Sequence, residues 1–411
     1  MGNLFKIATR NLLRYKRRTL LTASLITIGV IFVLLFVSVS GSFKNMMISQ
    51  ITDSMLGQIQ IHKKGYVASK ENLPLNLNLP AKAFMKLEKA LIQPEIEAYS
   101  PRIKFGGLFS NFAETTNIRL NGVYPEKEFK TVPLLTSRVI QGNKTLEKGE
   151  IWIPDLLAKG MGVKVGDTVV IVATNKDGSV NGKQFKVSGV LESATGPGGR
   201  DGYIHLEDAL ETLRMSEVEF SEVALRLKDF NQLHSFILKL EGLLSGELNK
   251  MGKPIFEVHS WEQLSPFYNI ARMIDVMTFF IKLMLIAIVL ISVMNVMIMA
   301  VYARIREIGT ISAIGTLPGK ILSLFVIEGF SLGVLGTVVG NSIGAALIFI
   351  INLFHFHFDF GQQKGLLLFA QMYPRDFLMI SIIVILVSVI ASLQPAYKAS
   401  RMEPINALRH V

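Results

Sequence analysis

No cysteine occurs in the 411 residues. Disulfides, thiolate chemistry, Cys-type zinc sites and a lipidated N-terminal Cys are thereby excluded, and an extracytoplasmic part must fold on its core alone. Charge is scarce as well: 18% of residues are charged against 50% hydrophobic, and the mean hydropathy is +0.41. That balance excludes a disordered chain and a small secreted scaffold, and points to a membrane protein with a soluble part. The net charge of +11 would suggest nucleic acid in a soluble protein. Its location argues against that partner here.

A bilayer core about 30 Å thick needs about 20 apolar helical residues. Leu20 to Val39, Ile274 to Val301, Ile321 to Phe354 and Phe377 to Leu393 satisfy this length. The first run exceeds the roughly 7–15 residues of a cleavable signal and reads as a retained anchor. Residues 1–19, the loop from Ala303 to Lys320 and the tail from Ala396 together hold 12 basic residues and 2 acidic ones, whereas Ser42 to Phe267 holds 27 and 26. The positive-inside rule makes the first group cytoplasmic and the large near-neutral segment external.

The expected organisation is therefore a basic amphipathic segment (1–19), a first transmembrane helix (20–41), an external domain (42–267) and a second helix (268–302). A cytoplasmic loop (303–320), a third helix (321–352), an external loop (353–376), a fourth helix (377–395) and a cytoplasmic tail (396–411) follow. Between Pro266 and Gly309 no helix breaker intervenes, and Phe43 to Met55 continues the first run without Pro or Gly. Both helices are expected to extend outward as a stalk, with Arg272 and Asp275 spaced to pair on one face.

Within the external domain, Gln58 to His62, Thr168 to Val172, Lys183 to Val190 and Val223 to Leu227 alternate as strands. Ala81 to Leu91, Leu206 to Leu213 and Asn231 to Leu248 carry helical spacing. The Gly-punctuated middle, residues 105–202, reads as a mostly β insertion in an α+β subdomain.

Catalytic patterns are incomplete. Gly315-Thr-Leu-Pro-Gly319-Lys320 falls one residue short of a phosphate loop and ends in Ile321. Gly196 to Arg200 reads as an external turn, and no Ser/His/Asp grouping stands out. His355, His357 and Asp359 alternate with phenylalanines, which suits an interfacial segment better than a metal site. No metal site and no catalysis are expected of this chain. Glu328, inside an apolar run, has two readings: a functional intramembrane group, or a side chain reaching the cytoplasmic interface. The methionines from Met273 to Met299 read as adaptable packing. Gly329, Gly333, Gly336, Gly340 and Gly344 recur every three or four residues and form a stripe for close helix contact, within the chain or between copies.

Three segments carry a resemblance. They are Ala8-Thr-Arg-Asn-Leu-Leu-Arg14 with Arg17-Arg18-Thr19; Arg304-Ile-Arg-Glu-Ile-Gly309 with Ala313-Ile-Gly315; and Pro395-Ala396, Ala399-Ser-Arg401, Pro404 and Ala407-Leu-Arg409. Motifs and order of parts resemble the FtsX/MacB/LolCE superfamily of ABC transporter permeases. The external domain is similar to a MacB-type periplasmic core, making the fold an α-helical membrane protein with four transmembrane helices plus a large periplasmic α+β domain. The resemblance implies an inner-membrane permease that dimerises with a second copy or paralogue and recruits a cytoplasmic ABC ATPase. ATP and Mg would be bound by that ATPase, with no cofactor in this chain. Arg304, Arg306, Glu307, Ile308 and Gly309, with Ala313 and Gly315, would form the ATPase-coupling segment. The mode implied is mechanotransmission, in which cargo is moved in the periplasm and not through the bilayer. The build is most like the LolC/LolE lipoprotein-releasing permeases, implying lipoprotein cargo. Efflux of drugs or peptides with a periplasmic adaptor, and control of a cell-wall hydrolase, remain as alternatives.

Overall fold

The computed structural model describes residues 6, 10, 14, 16–194, 196, 198–249, 251–354, 357–360, 363–367 and 369–403. His355 and part of both terminal motifs, including Ala8, Asn11, Pro404 and Arg409, lie outside the described residues. The chain forms two compact units. One comprises Met1–Lys44, Arg272–His357 and Leu367–Val411; the other comprises Asn45–Ala271 and Phe358–Leu366.

In the first, membrane unit, four helices are long and apolar enough to span a bilayer. They are the first span (Lys16–Ile51), the second (Phe267–Ala303), the third (Pro318–Leu353) and the fourth (Pro374–Ser400). Ile26, Val30, Leu34, Val289, Val293, Phe325, Leu332 and Val384 build its core. Met297 joins them, whereas Met273, Met277, Met284 and Met299 are exposed on the unit's surface and do not pack inside it. The fourth helix continues through Pro395, past its expected end, because Ala396, Ala399 and Ser400 are buried and packing outweighs the hydrogen bond that proline cannot donate. Asp275 meets Lys44 of the first span at 2.6 Å in place of the expected Arg272.

The glycine stripe is used within the chain. Cβ atoms built on Gly329 and Gly333 would stand 2.6 and 2.8 Å from Ser392 and Ser388 of the fourth span. Those on Gly336, Gly340 and Gly344 would stand 2.5, 2.8 and 3.0 Å from Ile26, Val30 and Leu34 of the first. One helix thus seats two neighbours at separations that any side chain would prevent.

The external unit holds β1 (Ile59–Lys63), β2 (Ile96–Ser110), β3 (Thr115–Val123), β4 (Val139–Gly142), β5 (Glu150–Pro154), β6 (Thr168–Thr174), β7 (Val180–Leu191), β8 (Gly202–His205), β9 (Glu222–Leu227) and β10 (Phe256–Ser260). Strands β10, β1, β9 and the first half of β2 pair antiparallel. Helices Ala81–Ala90 and Leu233–Leu244 cover one face of this layer through Leu87, Phe236 and Leu240, packed on Ile59, Ile61, Val223 and Leu225.

The far half of β2 continues into a second structure. It pairs with both β3 and β6, and the order β2-β3-β8-β5-β7-β6 returns to β2, closing a six-stranded barrel. Ile103, Phe105, Phe109, Leu120, Ile153, Ile171, Phe185 and Val187 fill it, and closure removes free edges. The β insertion anticipated for 105–202 is this barrel, which starts earlier because the 15-residue β2 serves both layers. A hairpin of β11 (His357–Phe360) and β12 (Gln363–Leu367) occupies part of the segment expected as a loop.

Candidate coupling site

The second span stops at Ala303, and a separate helix, Ile305–Ala313, follows one residue later. The break falls at Arg304, whose backbone (φ −120, ψ 20) leaves the helical region. Its guanidinium turns inward to Glu328 of the third span, with Nη1 2.7 Å from the carboxylate; the side chains are 4% and 1% exposed. A buried carboxylate in an apolar run is costly alone and tolerable when paired. Glu328 therefore fastens the helix break to the third span.

The same geometry narrows the predicted contact set. Arg304, Ile308 and Gly309 are buried within the chain, because the short helix seats one side on its own bundle. Arg306, Glu307, Ala313 and Gly315 remain exposed. Missed from the sequence were Ile311, Ile314 and Leu317, which are 42%, 80% and 66% exposed and add an apolar surface to the charged one. Their signal was available: apolar residues recur three apart past the charged letters, Ile311 on the short helix and Ile314 and Leu317 just beyond its end. Gly315 lies at φ +94, where a side chain would be strained, and turns the chain toward Pro318 at the start of the third span. Arg14 approaches Glu307 at 3.5 Å in an exposed, weak pair.

A second polar concentration lies in the external unit, on the face of the β-layer opposite its helices. Arg102 bonds Glu128 at 3.0 Å and Glu222 at 2.9 Å; Glu222 also receives Lys104 at 3.3 Å and lies 3.7 Å from His62. Burial would raise the Glu222 carboxyl, but the Lys104 charge, the His62 hydrogen bond and the Arg102 charge outweigh it and hold the group well below the usual carboxylate range. Gln60 and His62 of β1 are buried here. A cavity of about 1360 Å³ adjoins the network, lined by Leu56, His62, Lys104, Glu222 and Phe267 among others. The turn at Gly196 is pinned at its end, since the Gly199 carbonyl accepts from Arg138 at 2.8 Å. Among the described residues no three His, Asp or Glu side chains form a metal-binding group.

Comparison with known proteins follows this division of parts. Residues 19–241 match the model of the MacB-like periplasmic core domain, and residues 279–404 match the FtsX-like permease C-terminal model. The lipoprotein-releasing system transmembrane protein LolC of Xylella fastidiosa is 24% identical over 339 residues, covering 78% of this chain and 79% of the relative. The uncharacterized ABC transporter permease YknZ of Bacillus subtilis is 25% identical over 425 residues and 98% of both chains. The macrolide export ATP-binding/permease protein MacB of Neisseria gonorrhoeae is 24% identical over 98% of this chain, which spans 60% of that protein.

Proposed function

The chain belongs to the ABC transporter permeases that join a MacB-like periplasmic core domain to an FtsX-like permease C-terminal region, and from that membership we propose that it releases lipoproteins from the outer face of the inner membrane by mechanotransmission. The large α+β unit lies in the periplasm, as the charge partition requires. Two permease subunits, copies or paralogues, work with cytoplasmic ATPase subunits that bind ATP and Mg. Arg306, Glu307, Ala313 and Gly315 contact the ATPase, with Ile311 and Ile314 beside them; Arg304 and Glu328 tie that contact to the third span.

The observation that carries the reading is the interior of the membrane unit. Its described core is apolar, and its buried hydroxyls have acceptors: Ser331, Thr337, Ser388 and Ser392 donate to carbonyls three or four residues earlier on their own helices at 2.6–2.8 Å. Thr27 donates to the Gly336 carbonyl of the third span at 3.3 Å, and Ser38 donates to the Gln371 carbonyl at 2.5 Å. A path for polar cargo needs unspent polar groups facing a wet space. What the helices offer instead is close packing, with the first span unbroken to Ile51. Lipoprotein cargo is supported by the likeness to LolC across most of both chains.

The test reconstitutes the full chain, with the ATPase that copurifies, alongside a fluorescent triacylated reporter lipoprotein. ATP-dependent release of the reporter is expected. Active hydrolysis with the reporter retained would remove lipoproteins as cargo. Glu307→Arg should insert normally yet lower ATPase copurification about fivefold, equivalent to ~1 kcal/mol of interface energy. Unchanged copurification and release would remove this face from the mechanism.

A further inference from the structure

The first span ends in a turn wound wider than an α-helix. Thr52–Leu56 is π-helical, closed by the Gly57 amide donating to the Thr52 carbonyl at 2.9 Å. Such turns are rare and occur often at functional positions. Gly57, at φ +78 and close against Ala224 and Leu225, lets the chain leave directly into β1. A helix C-terminus presents carbonyls without intrahelical partners and a partial negative charge.

Three arginines from separate parts of the external unit meet that end. Arg102 of β2 donates to the Leu56 carbonyl at 3.4 Å while held by Glu128 and Glu222. Arg138, just before β4, donates to the Ser54 carbonyl at 3.3 Å while bonding the Glu192 and Gly199 carbonyls of the β7–β8 connection. Arg226 of β9 meets the Asp53 carboxylate at 2.7 Å and Glu97 of β2 at 2.9 Å. The Leu134 amide adds a bond to the Asp53 carbonyl at 2.8 Å.

We propose that this turn is a rigid joint, and that Arg102, Arg138 and Arg226 are positioning residues that make the β-layer and the barrel follow the end of the first span. The inference rests on the permease reading above and names the residues through which its motion leaves the helix. Held from β2, β9 and the β7–β8 connection, the turn has no independent rotation. A displacement of the helix is carried to all three attachments. Arg102 and Arg138 are fully buried, and burying guanidiniums costs more than an apolar cap of equal volume. What the charges add is directional bonding, which sets one geometry for the joint.

The Cys-free background permits a direct test. Spin labels on Asn45→Cys, in the helix, and Ser179→Cys, between β6 and β7, report the distance across the joint in the full chain with its copurified ATPase in lipid nanodiscs. The distance distribution should be the same with and without ATP. In Arg226→Gln and Arg138→Met it should shift or broaden by several ångström when ATP is added, while ATP hydrolysis continues. Arg226 is partly exposed, so its variant keeps the fold, and Asp53→Arg combined with Arg226→Asp should restore the single distribution. An ATP-dependent shift in the unsubstituted joint would overturn the proposal, as would variants that keep the original distribution. Absence of a copurifying ATPase would remove the permease reading, and the joint with it.

Discussion

In the external unit, Arg102, Glu128 and Glu222 are each no more than 2% exposed and are fastened to one another, with Arg138 equally buried among backbone carbonyls. In the membrane unit, among the described residues, one buried ion pair, Arg304–Glu328, lies at a helix break. The core is otherwise built by apolar side chains and glycines with single neutral hydrogen bonds between helices, such as Thr27 to the Gly336 carbonyl and Asn341 to Ser381. The difference follows from the solvent. Water beside the external unit makes apolar burial favourable, so its core can afford a charged network that sets geometry. Lipid gives no such drive between helices, and close contact of backbones takes its place.

The sharpest way to break this contrast is to remove the centre of the network. Arg102→Leu leaves two buried carboxylates without their shared cation and should cost the external unit ~3–5 kcal/mol. The chain's 2 tryptophans make the measurement selective, because Trp152 and Trp261 are both buried in that unit. Melting followed by their fluorescence should fall steeply. A thiol dye reporting on Ala391→Cys, buried in the fourth span, should show a much smaller change. Equal losses in both signals would mean that the two units do not melt separately.

Next in size is a single methyl group placed in the membrane unit. In Gly340→Ala the new Cβ would stand 2.8 Å from Val30, whose branched side chain has little rotamer freedom. Overpacking of this kind costs ~1–3 kcal/mol. Gly41→Ala, on the first span with no atom within 4 Å of the added carbon, should be neutral or stabilise by up to roughly 1 kcal/mol. The thiol-dye transition distinguishes them, and greater damage from Gly41→Ala would place the decisive helix contact elsewhere.

What the sequence revealed followed the same division. Period and length identified the spans because lipid demands apolar runs, and the glycine spacing marked the face of the third helix that its neighbours use. The stripe's partners were not legible, since Ile26, Val30 and Ser388 look like any residues of an apolar helix. Strands β6, β7 and β9 and helix Ala81–Ala90 declared themselves by alternation and spacing, yet closure of the barrel depends on one long strand pairing at both ends, which no local pattern encodes. The segment proposed for coupling was read from motif letters, which do not say which side of a short helix faces inward; Arg304, expected there as a contact, is buried against Glu328. The arginine network was missed for the same reason. Charged residues on an alternating strand read as solvent-facing, and only the fold shows that this face is covered.

The smallest expected effect is a pH dependence confined to the network side of the contrast. His259 is held below the ordinary histidine range by burial first and by the neighbouring His62 charge second. The folded unit therefore binds this proton less readily than the unfolded chain, whose histidine titrates near 6.5. Its contribution is complete above that value and is lost as pH falls through the lowered one. Glu222 behaves in the same direction at lower pH: its depressed carboxyl gives stability that is full above about 5 and declines as the solution is acidified below the ordinary carboxylate range near 4. Tryptophan-detected melting should thus show a shallow decline beginning below pH 6.5 and a steeper one below pH 4. His259→Gln should flatten the first limb and leave the second. If the shallow limb survived that substitution, or stability rose on acidification, the buried charges around β1 and β9 would not be the groups that tie this unit's stability to pH.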